Sequence, residues 1–132
     1  MIGAALYEKR LRRFKGWPER EFVDEFARAG VPPKVATAVY EYYRSHSPDP
    51  LFTVAPTYSL WGVFRHSGED VDDDAERIAK RLGLRLPPEA ILREWPVPPA
   101  TVRDMVMWVD WVRQHQPGAR TQPESASGGR TG

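Results

Sequence analysis

The chain has 132 residues, of which 41% are hydrophobic and 11% aromatic, so it holds enough apolar material for one folded domain and is not wholly disordered. Nineteen Lys and Arg residues nearly balance eighteen Asp and Glu residues, and therefore no overall field directs the protein to nucleic acid or a membrane. The lack of cysteine excludes disulfides, thiol catalysis and thiolate metal sites.

The two ends of the chain differ in composition from the segment between them. Residues 1–16 combine several Lys and Arg side chains with apolar residues at helical spacing, which predicts a basic amphipathic helix. Residues 116–132 lack large apolar side chains and are predicted to form a disordered tail. We expect one helical domain over residues 17–115. No apolar run is long enough to cross a bilayer and no signal-peptide pattern is recognised, so we expect a cytoplasmic protein.

Two helices are predicted in the first half of this domain. Pro18 and Gly30 delimit an extra helix over residues 18–29, because proline suits the first turn of a helix and glycine its end. A second helix begins at Pro32–Pro33 and ends within residues 45–50. The prolines that follow exclude a regular helix. We therefore expect residues 51–60 to form a loop that crosses the surface.

The second half of the domain contains two helices with predicted caps. Ser67 and Asp70 have the spacing of a capping box, and Gly83 marks the end of the helix that follows. A short helical turn is expected after Pro87–Pro88, and Thr101 is expected to cap a last helix that ends near His115. The pattern requires no strand anywhere, so the predicted fold class is all-α, a small helical bundle.

The acidic run at residues 69–74 has the outline of a calcium loop. Asp70, Asp72 and Asp74 occupy the first, third and fifth positions of an EF-hand. Positions six and twelve of that loop require Gly and Glu, where this chain has Ala75 and Arg81. We interpret the run as a solvated helix start whose carboxylates stabilise the helix dipole, and we predict no metal site.

Catalytic motifs are also missing from the sequence. His46, His66 and His115 lie far apart and lack the paired spacing of zinc-binding helices; we interpret each as a surface or cap residue. His66 is close to Ser67 and Asp70, but neighbours on one tight turn rarely adopt the relay geometry of a hydrolase triad. No glycine-rich phosphate loop occurs. We therefore expect a protein that is not an enzyme.

Two further surfaces could bind a partner. The basic helix over residues 1–16 suits nucleic acid or an anionic membrane, although the helix that begins at Pro32–Pro33 has too few basic residues for a DNA reader. Met107 and Trp111 fall on the side of the last helix opposite its core face, near Asp110. Either the N-terminal helices cover Met107 and Trp111, or the two side chains form a partner-binding patch.

Several segments, in this order, resemble acyl carrier proteins and, more closely, uncharacterised bacterial acyl-carrier-like proteins. Residues 57–60 (TYSL) resemble the segment before the second helix of that family, and residues 68–71 (GEDV) resemble its Gly-Asp-Asp-Ala motif. Residues 78–87 (IAKRLGLRLP) resemble the end of that second helix, and residues 100–106 (ATVRDMV) resemble the start of the last helix. The resemblance implies a carrier-like bundle with extra N-terminal helices.

The sequence departs from this family at the site of modification. Carriers attach phosphopantetheine to the Ser of an Asp-Ser-Leu motif, and counting back from Leu86–Pro87 places Gly68 at that position. Glycine has no oxygen to modify, and Ser67 is one residue early. We therefore expect no cofactor, with phosphopantetheine on Ser67 as the alternative.

The resemblance and the charge pattern together predict a non-catalytic binding module. In carrier proteins an acidic surface at this helix meets basic patches on partner proteins, and the carboxylates that remain here would supply the same steering. The residues predicted to bind a basic protein partner are Glu69, Asp70, Asp72, Asp73, Asp74 and Glu76, with Met107 and Trp111 as the second patch. A genuine carrier, and an adaptor that uses the basic N-terminal helix, are the alternatives.

Overall fold

The structure of the chain, a computed structural model, describes residues 14–95 and 97–116. These ranges contain five helices: α1 (Glu19–Arg28), α2 (Pro33–Arg44), α3 (Gly68–Arg81), α4 (Glu89–Leu92) and α5 (Val102–Gln114). They contain no β-strand, only two isolated bridges, between Trp17 and Val54 and between Ser59 and Thr101. The predicted all-α fold class is therefore confirmed.

The helices begin and end at the residues whose local chemistry favours a helix terminus. α1 follows Pro18 and is succeeded by Gly30, whose φ of 86° is in the left-handed region that glycine tolerates. Ser67 caps α3 in a capping box with Asp70, as predicted. Thr101 forms the equivalent box with Asp104 at the start of α5. Each box satisfies backbone N–H groups that a helix start leaves unpaired.

The helices pack around a single core. α2 contacts α1, α3 and α5, and α3 also contacts α5. The core side chains of the helices recur at the spacing of one helix face and include Phe22, Phe26, Val35, Val39, Tyr43, Val71, Ile78, Met105, Val106 and Val109. No helix in the described ranges is long and apolar enough to span a membrane.

The long connection between α2 and α3 is part of the core, which corrects the prediction of a surface loop. Phe52, Val54, Tyr58 and Leu60 are at most 8% exposed. Prolines prevent this segment from forming a helix but do not prevent its burial. Its backbone finds partners elsewhere in the chain, as in the hydrogen bond from Leu60 N–H to the Ala100 carbonyl at 2.9 Å, so burial leaves few polar groups unpaired.

Two sequence predictions concern the ends of the chain. The basic helix was placed at residues 1–16; residues 1–13 lie outside the described residues, and residues 14–16 are not helical. Gly16 instead packs against the 53–54 backbone, and its N–H donates to Thr53 Oγ1 at 2.9 Å. The predicted tail lies outside the described residues from position 117 onward.

Candidate functional site

The first turns of α3 present a group of exposed carboxylates, which we call the acidic surface. It consists of Glu69, Asp70, Asp72, Asp73 and Glu76, all of them exposed. Among the residues that the structure describes, none of these five forms an ion pair with Lys or Arg. The helix places the carboxylates in solvent because its other face, through Val71, Ala75 and Ile78, is packed into the core.

Asp74 does not belong to this surface, which corrects its sequence assignment. Its side chain is on the buried face of α3 and only 3% of the residue is exposed. Position 74 is three residues after Val71 and four before Ile78, so helical spacing places it on their side. A carboxylate buried this deeply requires partners, and Asp74 has three of them.

The partners of Asp74 come from α2 and from the loop before α3. The Tyr42 phenol donates to Asp74 Oδ1 at 2.5 Å, and the Tyr43 phenol donates to Oδ2 at 2.9 Å. His66 Nδ1 lies 2.6 Å from Oδ2. Burial, and then the hydrogen bond to Asp74, raise the pKa of Tyr42, which keeps that phenol a hydrogen-bond donor. The hydrogen bond to Asp74 raises the pKa of His66 despite its partial burial.

His46 completes this cluster on the side of α2. Its Nδ1 is 3.0 Å from the Tyr42 carbonyl oxygen, and because a carbonyl only accepts, Nδ1 carries the proton and Nε2 has the lone pair in the neutral ring. Burial lowers the pKa of His46 and favours that neutral form. The ring centroids of His46 and His66 are 5.0 Å apart. The two histidines that the sequence placed separately are therefore neighbours.

The cluster opens into a cleft of about 170 Å³ beside the acidic surface. One possible ligand atom from each of His46, His66 and Asp74 lies within 4.8 Å of the others. Three carboxylates and one guanidinium line the cleft together with the histidines and a tyrosine, and the full lining is Tyr42, His46, His66, Asp70, Asp73, Asp74 and Arg77. The cleft therefore favours a cation.

Ser67 and Gly68 both lie at the start of α3. Ser67 is the exposed N-cap residue, and Gly68 is the first residue of the helix, where an added Cβ would meet nothing within 4 Å. The Ser67 hydroxyl donates to Asp70 Oδ2 at 3.0 Å. The Ser67 N–H donates to the same oxygen at 2.9 Å. The bond from the N–H, and then that from the hydroxyl, lower the pKa of Asp70. The exposed hydroxyl at this helix start is thus one residue earlier than the position at which the resemblance would place the carrier serine.

The second predicted patch is only half exposed. Met107 packs against the core, and the Trp111 ring centroid is 5.6 Å from that of Trp95 in the segment after α4. The Trp111 ring also lies against the His115 ring, and their centroids are 4.4 Å apart. Asp110, predicted to lie on this outer side, is 4% exposed and bound by Arg113 and Gln114. An acid can face inward here because those two neighbours on the next turn satisfy its oxygens.

Comparison of the chain with family models, curated proteins and solved structures gave no match. The likeness to acyl carrier proteins therefore depends on the four short segments described above and on their order.

Proposed function

We propose that this protein is a non-catalytic helical binding module that presents the acidic surface of α3 to a basic protein partner. The observation that carries the proposal is the exposure of five carboxylates on consecutive turns without a Lys or Arg ion-pair partner among the described residues. Unneutralised charge of one sign attracts the opposite charge and raises the rate of encounter.

The clustering of negative charge on one helix supports this proposal, whereas the net charge of the chain does not. The chain as a whole has a net charge of +1, so the acidic surface is a local field and not the effect of an acidic protein. α3 is also held rigidly, since Val71, Ala75 and Ile78 anchor it in the core. A helix held in this way fixes the spacing of the carboxylates along its backbone, so no backbone ordering is required when a charged partner binds.

A charge-reversal pair tests the proposal. Asp72→Lys combined with Asp73→Lys should abolish co-purification of a basic partner, which wild-type protein retains at low salt and releases at high salt. The matched control is Glu21→Lys with Asp24→Lys, two exposed acids on α1, which changes the total charge equally and should retain the partner. Circular dichroism checks that helicity is unchanged. Retention by both variants, or a captured partner without a basic surface, would refute the proposal.

A second function is favoured by the exposure of Ser67, although the residue is one position earlier than the resemblance requires. An exposed hydroxyl at the start of α3 suits the attachment of a phosphopantetheine arm, as in the carriers that the chain resembles. Incubation with coenzyme A and a broad-range phosphopantetheinyl transferase should then increase the intact mass by one arm, and Ser67→Ala should prevent the increase. An unmodified wild-type mass would exclude the carrier function and leave the binding module.

A further inference from the structure

We propose that His46, His66 and Asp74 form a binding site for a divalent transition-metal ion of the zinc class. One potential ligand atom from each residue lies within 4.8 Å of the other two. Two imidazoles and one carboxylate are a donor set that zinc and its neighbours in the first transition row bind, with a further position left for water. The proposal does not rest on the binding-module function, but Asp70 and Asp73 of the acidic surface also line this cleft.

The three residues come from separate parts of the fold, and each is held in place. His46 follows the C-terminus of α2, His66 lies in the loop before α3, and Asp74 lies within α3. The Tyr42 carbonyl fixes the ring of His46, and the two phenols of Tyr42 and Tyr43 fix the carboxylate of Asp74. Hydrogen-bonded neighbours of this kind orient the ligands of metal sites and tune their basicity.

The short contact between His66 and Asp74 suits an ion-free form of such a site. His66 Nδ1 and Asp74 Oδ2 are 2.6 Å apart, whereas two ligands of one tetrahedral zinc ion are separated by roughly 3.4 Å, given bonds of about 2.1 Å. The ion therefore requires the two atoms to part by less than about 1 Å. In the metal-bound form, His66 would be neutral, with its proton on Nε2 and its Nδ1 bonded to the ion.

The electrostatics of the cleft favour a cation. Asp70, Asp73 and Asp74 line it against a single guanidinium, that of Arg77. His46 and His66 are half-buried, so an ion bound between them is partly withdrawn from water, and Coulomb attraction to the carboxylates is less screened there than at the open surface. The cleft, about 170 Å³ in volume, leaves room for water as an additional ligand.

Titration of chelator-treated full-length protein tests the site. Zn²⁺ should bind with one-to-one stoichiometry by calorimetry, and Co²⁺ should give the visible absorption bands of a tetrahedral nitrogen- and oxygen-ligated ion. His46→Ala and His66→Ala should each weaken the binding at least about tenfold, since loss of even a hydrogen-bonded partner of a ligand costs that much. His115→Ala and Asp72→Asn, which alter a histidine and an exposed carboxylate outside the cleft, should bind as wild type.

A measurement on the wild-type protein makes the test independent of variant folding. Zn²⁺ should shift the imidazole nitrogen resonances of His46 and His66 and leave those of His115 unchanged. It should also raise the melting temperature, because an ion that binds only the folded chain stabilises it. Absence of one-to-one binding, undiminished binding by both His→Ala variants, or shifts confined to His115 would overturn the proposal.

Discussion

The Asp74 carboxylate on α3 accepts a hydrogen bond of 2.9 Å from the Tyr43 phenol on α2, and both residues are buried. This bond joins two helices through their polar atoms inside a mostly apolar core. Tyr42 and His66 occupy the remaining sites on the same carboxylate. Asp74 is therefore both a structural link between helices and the anchor of the candidate metal site.

Removal of Asp74 should destabilise the fold strongly. In Asp74→Ala the buried phenol of Tyr43 and the donors of Tyr42 and His66 lose their acceptor, so we expect a loss of about 3 kcal/mol in the free energy of unfolding. Asp73→Ala removes the exposed carboxylate of the preceding residue and should change the free energy of unfolding by about 0.5 kcal/mol or less. Urea denaturation measures both. Equal effects would contradict the role assigned to Asp74.

The capping box of α5 gives a second stability prediction. The Thr101 hydroxyl accepts from Asp104 N–H at 3.1 Å, so Thr101→Ala leaves that donor unpaired and should cost about 1 kcal/mol. Thr57→Ala, at an exposed position outside the helices, serves as the control and should be nearly neutral. Chemical denaturation should separate the two variants, and an unchanged midpoint for Thr101→Ala would show that the cap contributes little.

Two glycines should respond oppositely to alanine. A Cβ at Gly16 would lie 2.5 Å from the Thr53 carbonyl carbon, so Gly16→Ala must displace backbone and should cost about 2 kcal/mol. At Gly68, the first residue of α3, a Cβ meets nothing within 4 Å, and alanine should stabilise by up to about 0.5 kcal/mol. Thermal melts of the two variants test this. A neutral Gly16→Ala would refute the close approach.

The Asp70 carboxylate should make the start of α3 sensitive to acid. Hydrogen bonds from the Ser67 N–H and hydroxyl lower the pKa of Asp70 below its ordinary value of 3.8. A carboxyl whose folded pKa is depressed stabilises the folded state above its unfolded pKa, and this contribution disappears as the pH falls through the folded pKa. NMR titration should find a midpoint below 3.8, and Ser67→Ala should move it upward. An unaltered midpoint in that variant would exclude the hydroxyl bond as a cause and leave the bond from the residue 67 N–H, which the substitution retains.

Local chemistry predicted the helices well. Pro18, Gly30, Ser67 and Thr101 act on backbone groups within a few residues of themselves, so their effect is visible in a short window of sequence. All four lie next to helix termini in the structure. The prediction that residues 51–60 cross the surface was wrong, because prolines indicate only the local backbone geometry. The burial of Phe52 and Leu60 depends instead on residues that are distant in the sequence.

The candidate metal site could not be derived from spacing, because its residues meet only through the fold. His46 and His66 are brought together by the return of the loop between α2 and α3, which no periodicity encodes. One signal was available for Asp74, since its position three residues after Val71 places it on the core face of the helix. A charged residue on an apolar face requires buried partners, and that requirement identifies it as a polar centre of the core.

The most direct test of the binding module is the affinity of the purified chain for its captured basic partner, measured by calorimetry at increasing salt. We expect the dissociation constant to rise steadily with ionic strength. At low salt we expect at least about a tenfold loss of affinity in Asp72→Lys with Asp73→Lys, whereas Glu21→Lys with Asp24→Lys should match wild type. Wild-type affinity in the α3 variant, or binding that is indifferent to salt, would contradict the proposed function.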